Sequence, residues 1–306
     1  MVGRVNRLIQ SSLAPSTRAS YNRAWSLFNK CMLDMNPGLV HFHQFPLSTE
    51  LVLMFLGYMH VKGYAPSTML TYNSAISYPH KLKGVQDPTS SFAVQKLLAG
   101  ATKVKPDSDS RLPINLSILH NLSVALLQTV SSPYLRILFR AMYLTSFFAL
   151  MRVGEVTSNS VESTALFLDQ LKFQDNYAII VISKFKHNLN RQPFELVLVP
   201  QTDEKICPIR ALQGYINARG RCNGPLFCLP DLKPVSREIF LTNLKHTLSF
   251  CGLDPTLYKS HSFRIGGASY YAELGLSDEQ IRLIGRWKSN AFRKYIRCQR
   301  MLLAVS

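Results

Sequence analysis

A histidine and an arginine stand three positions apart in the segment HSFRIGGASYY, residues 261–271. At this spacing His261 and Arg264 share one face of a helix, where two cationic side chains could bind a negatively charged group. Gly266 and Gly267 follow, and their lack of a side chain would let a protein or nucleic-acid backbone come close. A structural cap with close helix packing is the alternative for the glycines, but it explains the two cations poorly.

Three further segments place a reactive or cationic side chain beside apolar sequence. They contain Arg152 in ALMRVGEV, Lys184 in a basic loop and Tyr295 in FRKYIR. A guanidinium binds phosphate oxygens through two parallel hydrogen bonds, and lysine and histidine can add positive charge. Two arginines, a lysine and a histidine therefore predict a phosphate-binding pocket, to which the tyrosine would add a nucleophile.

These side chains also have ordinary structural explanations. Arg152 precedes Glu155 by three positions, so the two could simply form an intrahelical ion pair. Lys184 has a close rival in Lys186, and a lysine at a hairpin tip is usually just solvated. Tyr295 could belong to an apolar helix stripe in the core. Spacing within any one segment does not decide between the two explanations.

Composition favours a basic globular protein that binds a polyanion. The chain has 306 residues, enough for two ordinary domains or one large one, and 47% of them are hydrophobic. The 35 lysines and arginines outnumber 18 acidic residues, for a formal net charge of +17. Such a surface attracts nucleic acid first and anionic membrane second, although a basic protein without such a partner remains the alternative.

Several classes of protein are disfavoured. Residues 134–153 are apolar and long enough to span a bilayer, but they carry three arginines, so we predict a buried helix that ends near Arg152. The N-terminus has no apolar run of signal-peptide length, so we expect an intracellular protein, nuclear if the source is eukaryotic and otherwise in the cytoplasm or nucleoid. Six cysteines without a Cys-x2-Cys pair indicate neither a disulfide framework nor a zinc site.

Two domains are predicted to position these residues. Helix starts at Ala14 and Ala65 share the pattern A-P-S-T-x3-Y-N-x-A, either as a repeat or as common capping by Ser or Thr. Residues 1–101 are thus predicted to form a helical N-terminal domain. Residues 102–115 are polar with two prolines and are predicted to be a linker, which leaves 116–306 as the second domain.

The second domain is predicted to be mainly helical with a small β insertion. Residues 177–183 and 194–199 are β-rich and flank a basic loop, which predicts a hairpin with a cationic tip. Ser277 and Gln280 form a possible capping box, and Gly275 is placed to end the preceding helix. The predicted fold class is therefore mainly α with a small β-hairpin in the C-terminal domain.

The order of the chemically active residues resembles the active-site series of the tyrosine recombinases, the phage-integrase family. That series here is Arg152, Lys184, His261-x-x-Arg264, Trp287 and Tyr295. The segment GRWKSNAFRKYIR, residues 285–297, resembles the eukaryotic mobile-element branch of the family. The two N-terminal helix starts resemble its DNA-clamping domain. The resemblance covers nearly the whole chain and implies a two-domain DNA clamp, with 1–101 as the core-binding domain and 116–306 as the catalytic domain.

The resemblance implies a role for each cationic residue. Arg152 and Arg264 would hold the scissile phosphate, and Glu155 would support Arg152. Lys184, in the position of the family's hairpin lysine, would protonate the leaving oxygen. His261 would accept or orient the proton of the nucleophile, whose free phenol has a pKa near 10.

The resemblance also implies which tyrosine reacts. Tyr295 would be the nucleophile, and it follows Trp287 by eight positions where prokaryotic relatives usually show nine. No other tyrosine follows Trp287, which stands where many relatives have histidine. Tyr270 and Tyr271 are predicted to pack the helix instead.

The implied activity is site-specific recombination or integration of DNA through a 3′-phosphotyrosyl intermediate, without cofactor, metal ion or ATP. The motif set includes no carboxylate cluster suited to two metal ions. Expected partners are double-stranded DNA and further copies of the chain, as a tetramer on paired sites to which the apolar tail CQRMLLAVS could dock, and no membrane. The alternatives are a type IB topoisomerase-like relaxing enzyme and a catalytically silent DNA-binding protein derived from a mobile element.

Overall fold

The computed structural model of the protein divides into two compact units, Met1–Asp109 and Ser110–Ser306. The parts of the chain that it describes are residues 2–36, 45–105, 110–158, 165–183 and 192–296. The basic loop and the apolar tail singled out in the sequence lie outside these ranges.

In the first unit, all the regular secondary structure of the described residues is helical. Its helices are α1 (Val2–Ser11), α2 (Pro15–Met35), α3 (Thr49–Val61), α4 (Pro66–Leu82) and α5 (Phe92–Val104), with a 3₁₀ turn at Pro88–Ser90. Their apolar faces enclose one core, in which Phe28, Phe55 and Met59 are fully buried. The helical character predicted for this part of the chain is confirmed.

The two similar helix starts do not use the predicted hydroxyl caps. Ala14 and Ala65 occupy the N-cap positions, and neither helix receives a side-chain cap hydrogen bond. Pro15 and Pro66 open the first turn instead, because a proline there has the required backbone angle and lacks an N–H that would otherwise have no partner. The prediction of Ser or Thr capping is wrong at these two helices.

The second unit has a larger helical core and a small sheet. Its helices are α6 (Leu116–Thr129), α7 (Pro133–Phe148), α8 (Val153–Val156), α9 (Pro208–Arg219), α10 (Arg237–Phe250), α11 (His261–Glu273) and α12 (Asp278–Ile284), with 3₁₀ turns at Leu168–Gln170, Glu204–Ile206 and Asn290–Tyr295. Helix α7 is buried along nearly its whole C-terminal half and lies at the centre of the core. The Ser277–Gln280 capping box and the left-handed Gly275 are both present, as predicted.

The sheet is antiparallel and has three strands in the order β1 (Leu171–Phe173), β2 (Ala178–Ile182) and β3 (Phe194–Leu198). Strands β2 and β3 match the two predicted β segments, and their pairing from Ala178–Leu198 to Ile182–Phe194 confirms the hairpin. The sequence analysis missed β1, whose three residues are too few to show an alternating pattern.

The polar stretch predicted as a linker is structured at both ends. Helix α5 of the first unit continues to Val104. Residues 110–115 already belong to the second unit and are hydrogen-bonded within it. The backbone N–H of Leu112 donates to the Leu257 carbonyl (2.9 Å), and that of Ile114 donates to the Ser262 carbonyl (3.0 Å). Two prolines and a polar composition do not reveal such pairing, because it depends on residues about 150 positions away in the chain.

The two glycines of α11 admit the protein's own backbone. A side chain at Gly266 would overlap the carbonyl of Ile114, and one at Gly267 would overlap the carbonyl of Phe147 at the end of α7. Both glycines are buried. The close approach predicted from their lack of a side chain is therefore helix and loop packing, and a nucleic-acid backbone has no room there.

Helix α7 ends four residues earlier than predicted. It stops at Phe148, and Leu150 then adopts a left-handed backbone (φ 45°) that is uncommon outside glycine. The turn places Arg152 at the start of α8, outside the apolar helix. Within the described ranges no helix is both long and apolar enough to cross a bilayer, and no three His, Cys, Asp or Glu side chains are grouped to hold a metal ion.

Candidate active site

Arg264 is the buried centre of the site. It projects from the first turn of α11, is only 1% exposed, and donates through Nη1 to the Leu150 carbonyl and through Nη2 to the Gly285 carbonyl (2.9 Å). Its guanidinium also lies 4.4 Å from the ring centre of Trp287. Burial, together with the charge of Arg152, lowers the pKa of Arg264 to about 9, so the group stays cationic at neutral pH. The contacts hold it between the end of α7 and the turn after α12.

Arg152 is more accessible and is held by Glu155. Its backbone N–H donates to Glu155 Oε2 (2.8 Å), its Nη1 pairs with Oε1 (3.0 Å), and its Nη2 donates to the Arg286 carbonyl (3.3 Å). The ion pair considered from the sequence is therefore present. The Arg152 side chain nevertheless remains 23% exposed while Glu155 is 2% exposed. Glu155 can therefore orient the Arg152 guanidinium from its buried side while the exposed side binds an anion from solvent.

A third arginine, Arg286, was not singled out from the sequence. Its Nη2 forms an ion pair with Glu155 Oε2 at 2.7 Å, and the two side chains are 1% and 2% exposed. Arg286 lies inside the segment GRWKSNAFRKYIR, but an arginine in a basic segment carries no signal of burial. Its backbone is left-handed (φ 54°), a conformation that is expected at glycine and is not predicted for an arginine.

His261 begins α11 and faces Tyr295. The two rings are nearly parallel, with centres 6.1 Å apart, and His261 Nδ1 is buried with no hydrogen-bond partner among the described residues. Burial lowers the pKa of His261 to about 4, and the charges of Arg111 and Arg264 act in the same direction. The imidazole is therefore neutral at physiological pH and has a nitrogen that can accept a hydrogen bond.

This lowered pKa predicts a stability that depends on pH. As pH falls, the unfolded chain protonates His261 near its ordinary value of 6.5, whereas the folded chain keeps it neutral down to about 4. Stability is therefore full above that window and decreases as pH falls through it. Urea unfolding at about pH 7.5 and about pH 5 should show wild type losing more stability than His261→Gln, in which this proton uptake is absent. An equal loss in both proteins would contradict the neutral buried imidazole.

Trp287 and Tyr295 complete the cluster through their rings. Trp287 lies 5.6 Å from Tyr295 in a stacked arrangement and 5.7 Å from the buried Phe292. Gly285 leaves the space that the Trp287 ring fills, since a side chain there would overlap it. Tyr295 ends the 3₁₀ turn Asn290–Tyr295 and is half-buried, and its ring stacks with those of both His261 and Trp287.

Five of the six residues of the sequence series thus come together in the second unit. Lys184 and its rival Lys186 lie outside the described residues, so their placement stays a prediction. The prediction for the two adjacent tyrosines of α11 is confirmed. Tyr270 packs on the main core and donates to Gln201 Oε1 (3.2 Å), and Tyr271 packs on the small cluster around Phe292 and donates to the Phe148 carbonyl (2.6 Å).

The site can bind and polarise an anion next to a phenol. Arg152 and Arg286 share one carboxylate, and Arg264 is bound to neutral carbonyls, so positive charge is in excess even after the ion pairs with Glu155 are formed. A phosphate at the accessible edge of Arg152 would meet this charge in a partly desolvated setting, where electrostatic interactions are stronger than in water. A neutral imidazole beside the Tyr295 ring could accept a hydrogen bond from the phenol and orient it.

The fold is similar to solved structures of DNA integrases and recombinases. A lambda integrase dimer bound to a COC′ core site matches with a TM-score of 0.61 and 15% identity, over 96% of this chain and 75% of that one. XerH recombinase bound to a palindromic difH substrate after cleavage matches at 0.62 and 17%, over 90% and 73%. Tn1549 transposon integrase in complex with circular intermediate DNA matches at 0.62 and 13%, over 94% and 92%.

These likenesses establish the fold, which is the one implied by the sequence resemblance. At identities of 13 to 17% they do not extend to residue roles. No protein-family model and no curated protein sequence matched the chain. The resemblance to the eukaryotic mobile-element branch stays a prediction from the segment at residues 285–297.

Proposed function

We propose that the protein is a tyrosine recombinase that cleaves and rejoins duplex DNA through a covalent bond to Tyr295. The observation that carries this proposal is the gathering of Arg152, His261, Arg264, Trp287 and Tyr295 in one unit, from segments up to 143 positions apart in the chain. Core packing alone does not explain why two buried arginines lie beside an accessible third, together with a tyrosine and a neutral histidine.

The chemistry is an in-line attack of the Tyr295 oxygen on a phosphodiester. The bond from phosphorus to the 5′ oxygen breaks, the DNA 3′ phosphate becomes linked to the tyrosine, and a 5′ hydroxyl is released. Arg152 and Arg264 stabilise the negative charge that develops on the non-bridging oxygens. The covalent link conserves the energy of the phosphodiester, so a 5′ hydroxyl can reverse the step without ATP.

Proton transfer is assigned to the remaining polar groups. His261 accepts or orients the phenolic proton, which its neutral state at physiological pH permits. Lys184, whose role rests on the sequence resemblance, protonates the leaving 5′ oxygen. Trp287 packs on both Tyr295 and Arg264, and so keeps the nucleophile close to the anion-binding group.

Double-stranded DNA is the proposed partner. A net charge of +17 favours phosphate binding, and the three matched structures are complexes with a COC′ core site, a palindromic difH substrate and a circular intermediate DNA. Residues 1–101 would contact the duplex as a core-binding domain and 116–306 as the catalytic domain. Strand exchange between two sites further implies several copies of the chain, for which we propose a tetramer.

The test is capture of a covalent complex. A library of nicked duplexes with randomised sequence around the nick loses a short strand on cleavage, which prevents rejoining and traps any adduct. We expect a fraction of the protein to carry DNA through denaturing electrophoresis, equally in the presence and absence of EDTA. No adduct from the library would contradict the proposal and favour a catalytically silent DNA-binding protein.

A second measurement separates recombinase from topoisomerase. With a duplex selected from the library, a recombinase joins strands between two such sites and forms a multimeric complex on them. A topoisomerase-like enzyme relaxes a supercoiled plasmid as a monomer and joins no strands between sites. Relaxation without joining would therefore overturn the recombinase assignment and leave the nucleophile chemistry intact.

A further inference from the structure

Arg286 is placed to control the geometry of the site without touching DNA. Its side chain is 1% exposed and its charge is paired with Glu155, whereas the equally buried Arg264 donates to two neutral carbonyls and keeps its charge for a phosphate. Arg152, which shares its acidic partner, is 23% exposed. Any contribution of Arg286 to cleavage must therefore pass through its neighbours.

Those neighbours are the elements that carry the proposed phosphate clamp, defined here as Arg152 and Arg264. Nη2 of Arg286 binds Glu155 Oε2 at 2.7 Å, the same oxygen that accepts the backbone N–H of Arg152. In return, the Arg286 carbonyl accepts Nη2 of Arg152 at 3.3 Å. The two residues are thus connected in both directions, once through the carboxylate and once directly.

The connection extends to the other arginine of the clamp. Arg286 Nη2 approaches the Leu150 carbonyl at 3.4 Å, and that carbonyl also accepts Nη1 of Arg264. Gly285, the residue before Arg286, supplies the second carbonyl that Arg264 binds (2.9 Å). Trp287, the residue after it, lies against the Arg264 guanidinium and the Tyr295 ring.

The backbone of this turn also depends on the side chain. A left-handed φ at arginine is unfavourable and persists only where the surroundings enforce it. Beyond Glu155, the Arg286 guanidinium donates to the Ile284 carbonyl (3.1 Å) and approaches the Ala149 carbonyl (3.4 Å). These contacts connect the turn that follows α7 to the turn that carries Trp287.

We propose that Arg286 is a positioning residue for cleavage: its buried guanidinium fixes Glu155 and the Trp287 turn, so that the clamp meets the scissile phosphate in reactive geometry. This inference rests on the proposed function. Small displacements of a clamp lower the rate of reaction more than they lower binding, because alignment matters most in the transition state.

The test is Arg286→Lys, which keeps a positive charge but has a single nitrogen that cannot span the contacts made by Nη1 and Nη2 of arginine. In single-turnover reactions on saturating nicked duplex, the amplitude reports the folded, active fraction and the rate constant reports the chemistry. We expect the rate constant to fall by about 10 to 100-fold with little change in DNA affinity. Arg282→Met is the matched control, because Arg282 on α12 pairs only loosely with Glu279 (3.8 Å) and should leave the rate constant unchanged.

A substrate with a neutral methylphosphonate at the scissile position separates positioning from general damage. This group lacks the negative charge that the clamp holds, so the deficit of Arg286→Lys relative to wild type should shrink on it. An equal deficit on both substrates, or a reduced amplitude with a wild-type rate constant, overturns the positioning role. Absence of any wild-type adduct would instead overturn the proposed function, and the inference with it.

Discussion

Replacing Tyr295 by phenylalanine is expected to abolish covalent attachment to DNA while leaving DNA binding and folding nearly unchanged. The substitution removes the proposed nucleophilic oxygen and leaves the rest of the side chain in place. The ring contacts with His261 and Trp287 remain. We expect adduct formation on nicked duplexes to fall by at least roughly 10⁴-fold, since loss of a nucleophile removes the main covalent route.

Tyr270→Phe is the matched control for this experiment. It also removes one hydroxyl from a half-buried tyrosine of the same unit, but that hydroxyl donates to Gln201 and does not face the site. Its adduct yield should equal that of wild type. An adduct that survives Tyr295→Phe would show that another residue is the nucleophile and would sink this assignment.

Substituting alanine for Gly266 is expected to cause the largest loss of stability in the second unit. The added methyl group would overlap the backbone carbonyl of Ile114, and backbone cannot move aside as a flexible side chain can. The hydrogen bond from Ile114 N–H to the Ser262 carbonyl would be disturbed as well. We expect a cost of at least about 3 kcal/mol, at the upper end for overpacked sites, measured by urea unfolding.

Gly214→Ala supplies a control with the opposite sign. Gly214 lies in α9 and is exposed, with nothing within 4 Å of an added side chain. Alanine there should stabilise the unit by about 0.5 to 1 kcal/mol, because it favours the helical backbone over the unfolded chain. Equal effects of the two substitutions would show that the loop at Ile114 does not lie against α11.

Much of the local structure could be predicted because its causes are local. Ser277 and Gln280 are three positions apart and cap each other, Gly275 takes the left-handed backbone that glycine tolerates best, and the β-rich run at 178–182 predicts a strand. Where two local explanations compete, the same reasoning fails. At Pro15 the proline, and not the following hydroxyls, begins the helix.

The identity of the candidate site was also available from the sequence. The types and order of Arg152, His261, Arg264, Trp287 and Tyr295 were sufficient to predict a phosphate-binding cluster and, by resemblance, a fold that the structure comparisons bear out. Residue types and their order do not depend on the fold, so these features can be recognised from the sequence.

Only the tertiary structure decided how the cluster is arranged. Which cation stays accessible, which is buried with Glu155, and whether His261 is charged all depend on desolvation by residues distant in the chain. The backbone that fills the space beside Gly266 likewise arrives from about 150 positions away. Arg286 is the clearest case. In the sequence it is one more arginine in a basic segment, and only its burial against Glu155 makes it part of the site.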